Sequence, residues 1–169
     1  EGIGKTKAAR IIDDWKSHHA VRNLMRFLMD HGIKPSYCTK IFKIHGEDAV
    51  NILCNDPFRL ADDIPGIGFS IADTMSISLG MPENDPKRIK ACIMNRIELA
   101  ATQGHTFIYE TELEKQCETI FRIESNDISK AIEDLADSGK LVLKSFEHDF
   151  DTRAVYESEL YKTESGIVA

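Results

Sequence analysis

Apolar residues recur along most of this chain at the three- and four-residue spacing of helices that bury one face. A repeated turn is added to that spacing: Gly, then Ile, then a third residue, with a small side chain four positions later and an apolar one three positions beyond it. The turns begin at Gly2, Gly32 and Gly66, so the repeat length is 30 to 34 residues. Internal repeats of this length predict stacked helical units.

The turn within residues 64–73 is the most complete copy of this pattern. Gly66 and Gly68 favour a tight backbone reversal with positive φ, and Ile67 between them is expected to point into the core. A helix is expected to follow, with Ala72 on its buried face. Because the first N–H groups of a helix have no intrahelical partner and its dipole is positive there, the tip suits a phosphate oxygen. A single copy is equally compatible with a structural corner, and the repetition favours phosphate.

The remaining apolar spacing in residues 1–82 predicts short helices on either side of the turns. Pro35 suits the first turn of a helix, and Gly46 suits a helix end. The predicted helices cover about 6–15, 17–30, 35–45 and 47–54. This region is therefore expected to form tandem helix-hairpin-helix repeats, which resemble modules that grip nucleic-acid backbones without reading bases.

Beyond residue 82 the composition turns acidic, and we expect a subdomain boundary there. Asp85 is expected to cap a long helix that ends just before Gly104. Two shorter helices follow in the pattern, and the second is expected to be capped by Asn126 or Asp127.

Two runs of alternating character, residues 141–146 and 153–156, predict a β-hairpin. Three helices followed by two strands predict a winged-helix-like subdomain over 83–158, and residues 159–169 are expected to begin a linker or helix that leads to a further domain. The predicted fold class is therefore mainly α, with tandem helix-hairpin-helix repeats and a winged-helix-like subdomain that has a small β-hairpin. The third helix of that subdomain is acidic, so we expect it to pack or dock on protein and not to read a major groove.

The formal net charge of the 169 residues is −7, which by itself disfavours nucleic acid because DNA affinity depends on neutralising phosphates. The charge is uneven, however. Residues 1–46 carry nine Lys or Arg against four Asp or Glu, whereas residues 47–169 carry twelve against twenty-four. A basic head before an acidic body keeps DNA binding possible for the first part of the chain. No apolar run reaches the length of about 18 residues that a membrane span needs.

Cysteines and histidines do not form a metal-binding pattern. The cysteines have no Cys-x-x-Cys pair and lie among apolar helical positions, so we expect buried thiols in a reducing cytoplasm and no zinc site. They are Cys38, Cys54, Cys92 and Cys117. His18, His19 and His31 have no acid or cysteine paired with them at ligand spacing and are expected to be surface or boundary residues.

The three turns differ in the charges beside them. The first has both glycines and nearby lysines, the second has lysines but lacks the second glycine, and the third has both glycines but no lysine after it. Aspartates flank the third turn at Asp62, Asp63 and Asp73. We therefore expect the first two turns to carry the DNA contact and the third to be mainly structural. The candidate DNA-backbone contacts are Gly2, Gly4, Lys5, Thr6, Lys7, Gly32, Lys34, Lys40, Lys43, Gly66, Gly68 and Ser70.

Taken together, the order of these features resembles the N-terminal region of long-form RecD-like DNA helicases, relatives of the exodeoxyribonuclease V alpha subunit. The resemblance covers nearly the whole chain, and its most specific part is the run Asn-Asp-Pro-Phe-Arg-Leu at 55–60 that leads into Ile-Pro-Gly-Ile-Gly-Phe at 64–69. A bare Gly-Ile-Gly is not specific. The other segments that carry the resemblance are Gly2-Ile3-Gly4-Lys5, His31-Gly32-Ile33, Gly104-His105-Thr106 and Leu160-Tyr161.

The resemblance implies that the full protein is an ATP-driven DNA helicase of 5′ to 3′ polarity that acts in DNA repair and recombination. Its Walker motifs, with their ATP and magnesium, would lie beyond Ala169, so we expect no catalytic residue, metal or cofactor in this piece. The expected partners are single-stranded or forked DNA bound without sequence preference, the protein's own C-terminal helicase domains and other repair proteins, in the bacterial cytoplasm. Because Glu1 begins within the first motif, we expect the helix before Gly2 to be missing and DNA binding to be weak.

Three alternatives were open at this point. Gly4-Lys5-Thr6 matches the end of a Walker loop, but residues 64–75 repeat the glycine spacing without Gly-Lys-Thr. A base-excising glycosylase needs a catalytic Asp, often with a Lys, beside a base pocket, and no Lys is found after Gly68 where one is needed. The acidic body supports a different class, a protein-interaction scaffold that docks on the helicase core or a partner subunit with little DNA contact of its own.

Overall fold

A computed structural model describes residues 5–146, 149–164 and 166. Contacts within the chain divide it into two compact units, residues 1–81 (unit 1) and residues 82–169 (unit 2). Helices dominate the described residues, so the prediction of a mainly α fold is confirmed. In the part of the chain that the structure describes, no helix is long and apolar enough to cross a membrane.

Unit 1 consists of helices of unequal length joined by tight turns. The helices are α1 (Lys5–Asp30), α2 (Cys38–His45), α3 (Ala49–Asn55), α4 (Arg59–Asp63) and α5 (Phe69–Ser78), and 3₁₀ turns cover Pro35–Tyr37 and Gly46–Asp48. The prediction of separate helices over 6–15 and 17–30 is wrong, because both lie within α1. No Gly or Pro interrupts residues 5–30, so the helix continues through the polar positions at 16–19.

The described core of unit 1 is formed by one face of the C-terminal part of α1 and by residues at and after the second and third turns. Leu24 and Leu28 of α1 lie one helical turn apart and are both fully buried. Ala72 and Met75 of α5 are also fully buried, which confirms the predicted apolar stripe. The other main core residues are Ile33, Cys38, Ile41, Ala49, Leu53, Phe58, Leu60, Ile64 and Ile67.

The cysteines follow the burial of the helices in which they lie. Cys38, Cys92 and Cys117 are buried as predicted, but Cys54 is exposed, so the prediction for that thiol is wrong. Its neighbour Leu53 is fully buried, and successive residues in a helix point about 100° apart. Burial raises the pKa of Cys117 to about 12, which keeps it a thiol. No cluster of three or more potential metal ligands occurs within the described residues.

Unit 2 combines helices with a three-stranded antiparallel sheet. Its elements are α6 (Pro86–Thr102), β1 (Ile108–Tyr109), α7 (Glu110–Phe121), α8 (Ser125–Asp137), β2 (Leu141–Phe146), β3 (Asp149–Glu157) and α9 (Ser158–Glu164). The strand order is β1-β3-β2, with Ile108 opposite Val155 and Leu143 opposite the same residue from the other side. The predicted hairpin corresponds to β2 and β3, whereas β1 was missed because two residues are too few for an alternating pattern.

The ends of α6 agree with the sequence, and the start of α8 does not. The Asp85 side chain accepts a 2.8 Å hydrogen bond from the Lys87 backbone N–H, so it is the predicted N-cap. For α8 the N-cap is Glu124, and Asn126 and Asp127 lie inside the first turn, so both were wrong as predicted caps. The main core residues of unit 2 are Ile89, Cys92, Ile93, Ile97, Leu113, Cys117, Ile128, Ile132, Leu135, Leu141, Ala154 and Val155.

Candidate nucleic-acid interface

The second and third turns of unit 1 have the same backbone geometry at their first glycine. Gly32 has φ +74° and Gly66 has φ +88°, both in the left-handed region that favours glycine. The residues that follow, Ile33 and Ile67, are each 4% exposed and anchor the turns in the core, as predicted. Each turn therefore holds its tip outward by burying its central isoleucine.

In the second and third turns, only the first glycine position needs a positive φ. Gly68 has φ −96° and ψ 172°, and Lys34 at the equivalent position has φ −61° and ψ 129°. Both are extended conformations that any residue can adopt. The expectation that Gly68 also takes a positive φ is wrong, and the replacement of the second glycine by Lys34 leaves the backbone of the second turn intact.

The two turns differ in the backbone donors that they present. After the third turn α5 begins at Phe69, its N-cap Gly68 has no side chain to cap it, and Ser70 is exposed in its first turn. After the second turn comes Pro35, which has no N–H to offer. The N-terminus of α5 is therefore the better anion site of the two.

Lys40 supplies the third turn with the cation that its own sequence lacks. Its Nζ donates a hydrogen bond to the Pro65 carbonyl at 3.3 Å and lies 3.9 Å from where a Cβ would stand on Gly66. From the sequence, Lys40 was expected to serve the second turn, because it lies on the helix that follows that turn. In the structure, the exposed Lys40 side chain reaches from α2 to the third turn.

The aspartates around the third turn are partly compensated. Asp63 Oδ2 lies 2.6 Å from Arg59 Nη2, one helical turn earlier, and 3.4 Å from Nε2 of His45. That His45 atom is buried, and the Asp63 carboxylate lies within ion-pair distance of it. Asp62 remains exposed. Sequence spacing pairs Arg59 with Asp63 at i,i+4, but no sequence signal brings His45 to Asp63.

The other candidate residues are less closely organised. Lys34, just before the Pro35–Tyr37 turn, and Lys43, within α2, are both exposed. Gly2 and Gly4 lie outside the described residues, and Lys5, Thr6 and Lys7 fall in the first turns of α1. The structure therefore brings Lys40, Gly66, Gly68 and Ser70 to one place, and the prediction for the first turn stays a prediction.

His31 makes packing contacts and is not placed like a metal ligand. Its Nδ1 is 2.8 Å from the Ser78 hydroxyl, and its ring packs edge-on against Phe27 with centroids 4.7 Å apart. These contacts join the end of α1 to the end of α5. They hold together the two helices that flank the second and third turns.

Buried isoleucines, left-handed glycines and helix starts at both turns define a helix-hairpin-helix domain. Residues 17–107 match the model of the family described as the ATP-dependent RecD2 DNA helicase HHH domain, and the chain belongs to that family. The resemblance stated from the sequence is thereby confirmed.

A curated relative extends the similarity beyond the matched domain. The ATP-dependent RecD2 DNA helicase of Deinococcus radiodurans is 28% identical to this chain over 141 residues, which is 83% of this chain and 20% of the relative. The chain therefore spans about one fifth of the length of the relative that it matches.

Proposed function

We propose that unit 1 is a DNA-backbone-binding region of an ATP-dependent DNA helicase and that it binds without sequence preference. The observation that carries this proposal is the hydrogen bond from Lys40 Nζ to the Pro65 carbonyl, which holds an exposed cation beside the turn at Gly66. Membership of the RecD2 HHH family supports the same function.

The chemistry of the third turn suits a phosphate and not a base edge. The N–H groups at the start of α5 and the positive end of its dipole attract an anion, and Lys40 adds a full positive charge. Neither feature presents the set of donors and acceptors that distinguishes one base pair from another. Binding is therefore expected to be insensitive to sequence.

We assign the principal contact to Lys40, Gly66, Gly68 and Ser70, which revises the expectation that the third turn is mainly structural. The second turn, with Gly32, Lys34 and the nearby Lys43, is a weaker contact because Pro35 removes one backbone donor. The first turn completes the set in our proposal, with Gly2, Gly4, Lys5, Thr6 and Lys7.

The same proposal includes the arrangement of the two units and the activity of the whole protein that the resemblance implies. The helices of unit 1 would form tandem repeats, and α6, α7, α8 and the β2–β3 hairpin would form a winged-helix-like subdomain. The whole protein would be a 5′ to 3′ helicase that uses ATP and magnesium, acts in repair and recombination in the bacterial cytoplasm, and contacts this region through its helicase domains.

Fluorescence anisotropy with single-stranded, duplex and forked DNA tests the proposal. We expect dissociation constants of about 10⁻⁴ to 10⁻⁶ M at physiological salt, the usual range for non-specific contacts. Lys40→Ala should weaken binding to every sequence and reduce the log-log salt slope by about 1, the loss of one phosphate contact. Lys115→Ala is the matched control, because it removes one exposed lysine from α7 in unit 2.

The two variants give a clear decision. Equal affinities for Lys40→Ala and Lys115→Ala would contradict a phosphate contact at the third turn. If Gly68→Ala, with folding intact, weakens binding more than the double change Lys5→Ala and Lys7→Ala, the third turn outranks the first.

A protein-interaction scaffold is the second candidate, and the charge of unit 2 favours it. Residues 82–169 carry eleven Lys or Arg against eighteen Asp or Glu, an acidic surface suited to a basic protein partner. Strong binding to the helicase domains, together with unchanged DNA affinity after deletion of residues 1–46, would favour this candidate over DNA binding.

A further inference from the structure

Unit 2 contains a cavity that the proposed DNA contact of unit 1 does not use. It has a volume of about 520 Å³ and lies between the C-terminal half of α6, the loop at 103–107, β1 and the first half of α7. Sites for small ligands typically have volumes of roughly 300 to 1,000 Å³. The cavity is therefore large enough for one planar aromatic ligand with its attached sugar.

One wall of the cavity is aromatic. Phe107 and Tyr109 both line it, with ring centroids 5.3 Å apart and planes at 83°. Phe107 also packs against Tyr156, with centroids 5.3 Å apart, and Tyr156 packs against Tyr161 at 5.2 Å. Because Tyr109 is 45% exposed, part of its ring surface is accessible to a ligand. Contacts among half-buried rings thus help to fix the position of the more exposed Tyr109 ring.

Three other lining residues form a chain of planar polar groups. Arg96 Nε donates to Gln116 Oε1 at 2.8 Å, and Gln116 Nε2 donates to Glu112 Oε1 at 2.7 Å. All three side chains line the cavity. Guanidinium, amide and carboxylate groups held in one chain present both donors and acceptors, which is the chemistry that the edge of a nucleobase requires.

The loop at the mouth of the cavity is held by the end of α6. The His105 backbone N–H donates to the Ala100 carbonyl at 3.0 Å, and Gly104 has φ +90°, which together close the helix in the pattern that favours glycine. His105 and Thr106 are exposed there. This is the Gly-His-Thr segment at 104–106, to which the proposed DNA contact assigns no role.

We infer that this cavity binds an unpaired base of single-stranded DNA, stacked on Tyr109 with its edge toward Arg96 and Gln116. The inference rests on the proposed function, since it adds a base site to a chain that holds the backbone elsewhere. Aromatic stacking takes bases of any sequence, in agreement with non-specific binding. The base is inaccessible in a duplex, so the site distinguishes single strands from duplexes.

The charges of the cavity favour a base over a free nucleotide. Its charged lining residues are Arg96 and Glu112, which Gln116 links, so no cluster of cations among the lining residues is available for a phosphate chain. The excess of acidic residues in unit 2 likewise opposes a phosphate-dominated site. A base whose strand binds through its phosphates elsewhere needs no cation cluster in the cavity. The acidic residues of unit 2 therefore oppose it less than they oppose a phosphate group.

Tyr109→Ala in the full chain tests the inference by fluorescence anisotropy. The probes are labelled oligothymidylate, the same oligonucleotide with abasic sites in its centre, and a duplex. Base stacking on an aromatic side chain is worth enough that we expect oligothymidylate to bind about fivefold more weakly or worse. Abasic and duplex probes should change by less than about twofold. Tyr109→Phe, which keeps the ring, should restore most of the affinity.

Two further variants separate this site from folding effects and from the backbone contact. Ile120→Ala removes a side chain that is 52% exposed on α7 outside the cavity, and it should leave all probes unchanged. Ala100→Met fills the cavity from α6 without removing a contact and should give the same selective loss as Tyr109→Ala. Thermal unfolding of each variant shows whether the fold is kept.

The possible results are distinguishable. An equal loss on all three probes, or no difference between Tyr109→Ala and Ile120→Ala, would overturn the base site while leaving the backbone contact intact. Loss of affinity in Lys40→Ala on every probe tests the proposed function separately. If free thymidine monophosphate competes with oligothymidylate at equal concentration, the cavity is a nucleotide site and the inference is also overturned.

Discussion

At the scale of single residues, Arg153 of unit 2 is bound by carboxylates from two helices. Its guanidinium forms two hydrogen bonds to the Glu110 carboxylate and approaches Glu133 Oε1 to 2.6 Å, so it joins β3 to α7 and α8. The hydrogen bonds that Arg153 donates to the Glu110 carboxylate raise the pKa of Arg153 above its ordinary value. Because Glu110 is only 9% exposed, loss of Arg153 would leave a nearly buried carboxylate without its ion-pair partner.

Arg153→Met should therefore lower the free energy of unfolding by roughly 1 to 3 kcal/mol. The value is smaller than for a fully buried pair, since a third of the Arg153 side chain is exposed. Urea unfolding provides the measurement. Lys162→Met breaks an exposed pair with Glu159 and should change stability by less than about 0.5 kcal/mol, and an equal effect of the two changes would contradict this assignment.

Asp134 gives a second prediction at this scale. A 2.9 Å ion pair with Lys90 of α6 lowers the pKa of Asp134. A carboxylate with a lowered pKa adds stability above its unfolded-state pKa, and that stability is lost as the pH falls through the folded-state pKa. In Lys90→Met the pKa of Asp134 should rise toward its ordinary value, as a carboxyl NMR titration would show. An unchanged pKa would mean that the pair does not form in solution.

At the scale of elements, the two glycines of the third turn should respond differently to the same change. Gly66→Ala places a Cβ at φ +88° and should destabilise the chain by about 1 to 2 kcal/mol. Gly68→Ala meets an extended backbone and open space, so its effect should stay within about 0.5 kcal/mol. Thermal unfolding of the two variants gives the comparison. Equal losses of stability would contradict a positive φ at Gly66 and an extended backbone at Gly68.

The elements that the sequence predicted well have local signals at both ends. For α6, Asp85 at the start and Gly104 after the end act on their own helix, so their effect can be deduced without knowing the fold. The length of α1 was missed because polar residues at 16–19 resemble a boundary although none of them breaks a helix.

The candidate site was less predictable, because its parts come from segments that are far apart in the sequence. The left-handed Gly66 and the buried Ile67 follow from local turn chemistry. Lys40 belongs to the helix after the second turn, and its contact with Pro65 depends on how α2 packs beside the third turn. The same holds for His45 beside Asp63. Spacing along the chain does not contain that information.

At the scale of the whole molecule, the net negative charge lies in one unit. Residues 1–81 carry ten Lys or Arg and ten Asp or Glu, whereas residues 82–169 carry eleven against eighteen. The overall charge of −7 therefore belongs to unit 2. Net charge is a poor guide to DNA binding here, because at physiological ionic strength the Debye length of about 8 Å screens most charges from a distant phosphate.

Duplex affinity should consequently depend on salt as for a basic protein. If about two to four phosphates are contacted, the logarithm of the association constant should fall with the logarithm of salt concentration with a slope of about −2 to −4. An anisotropy titration of the full chain over a salt series gives this slope. A slope near zero would exclude phosphate contacts and favour the protein-interaction scaffold.

The continuity of α1 sets a fixed distance between its two ends. Its 26 residues correspond to a rod about 39 Å long, since each helical residue advances about 1.5 Å. One turn of a DNA duplex measures about 34 to 36 Å. In our proposal DNA contacts lie near both ends of this rod, beside Lys5 and beyond Asp30, so they would meet the duplex about one turn apart and on the same side. A duplex shorter than one turn would then reach only one of them.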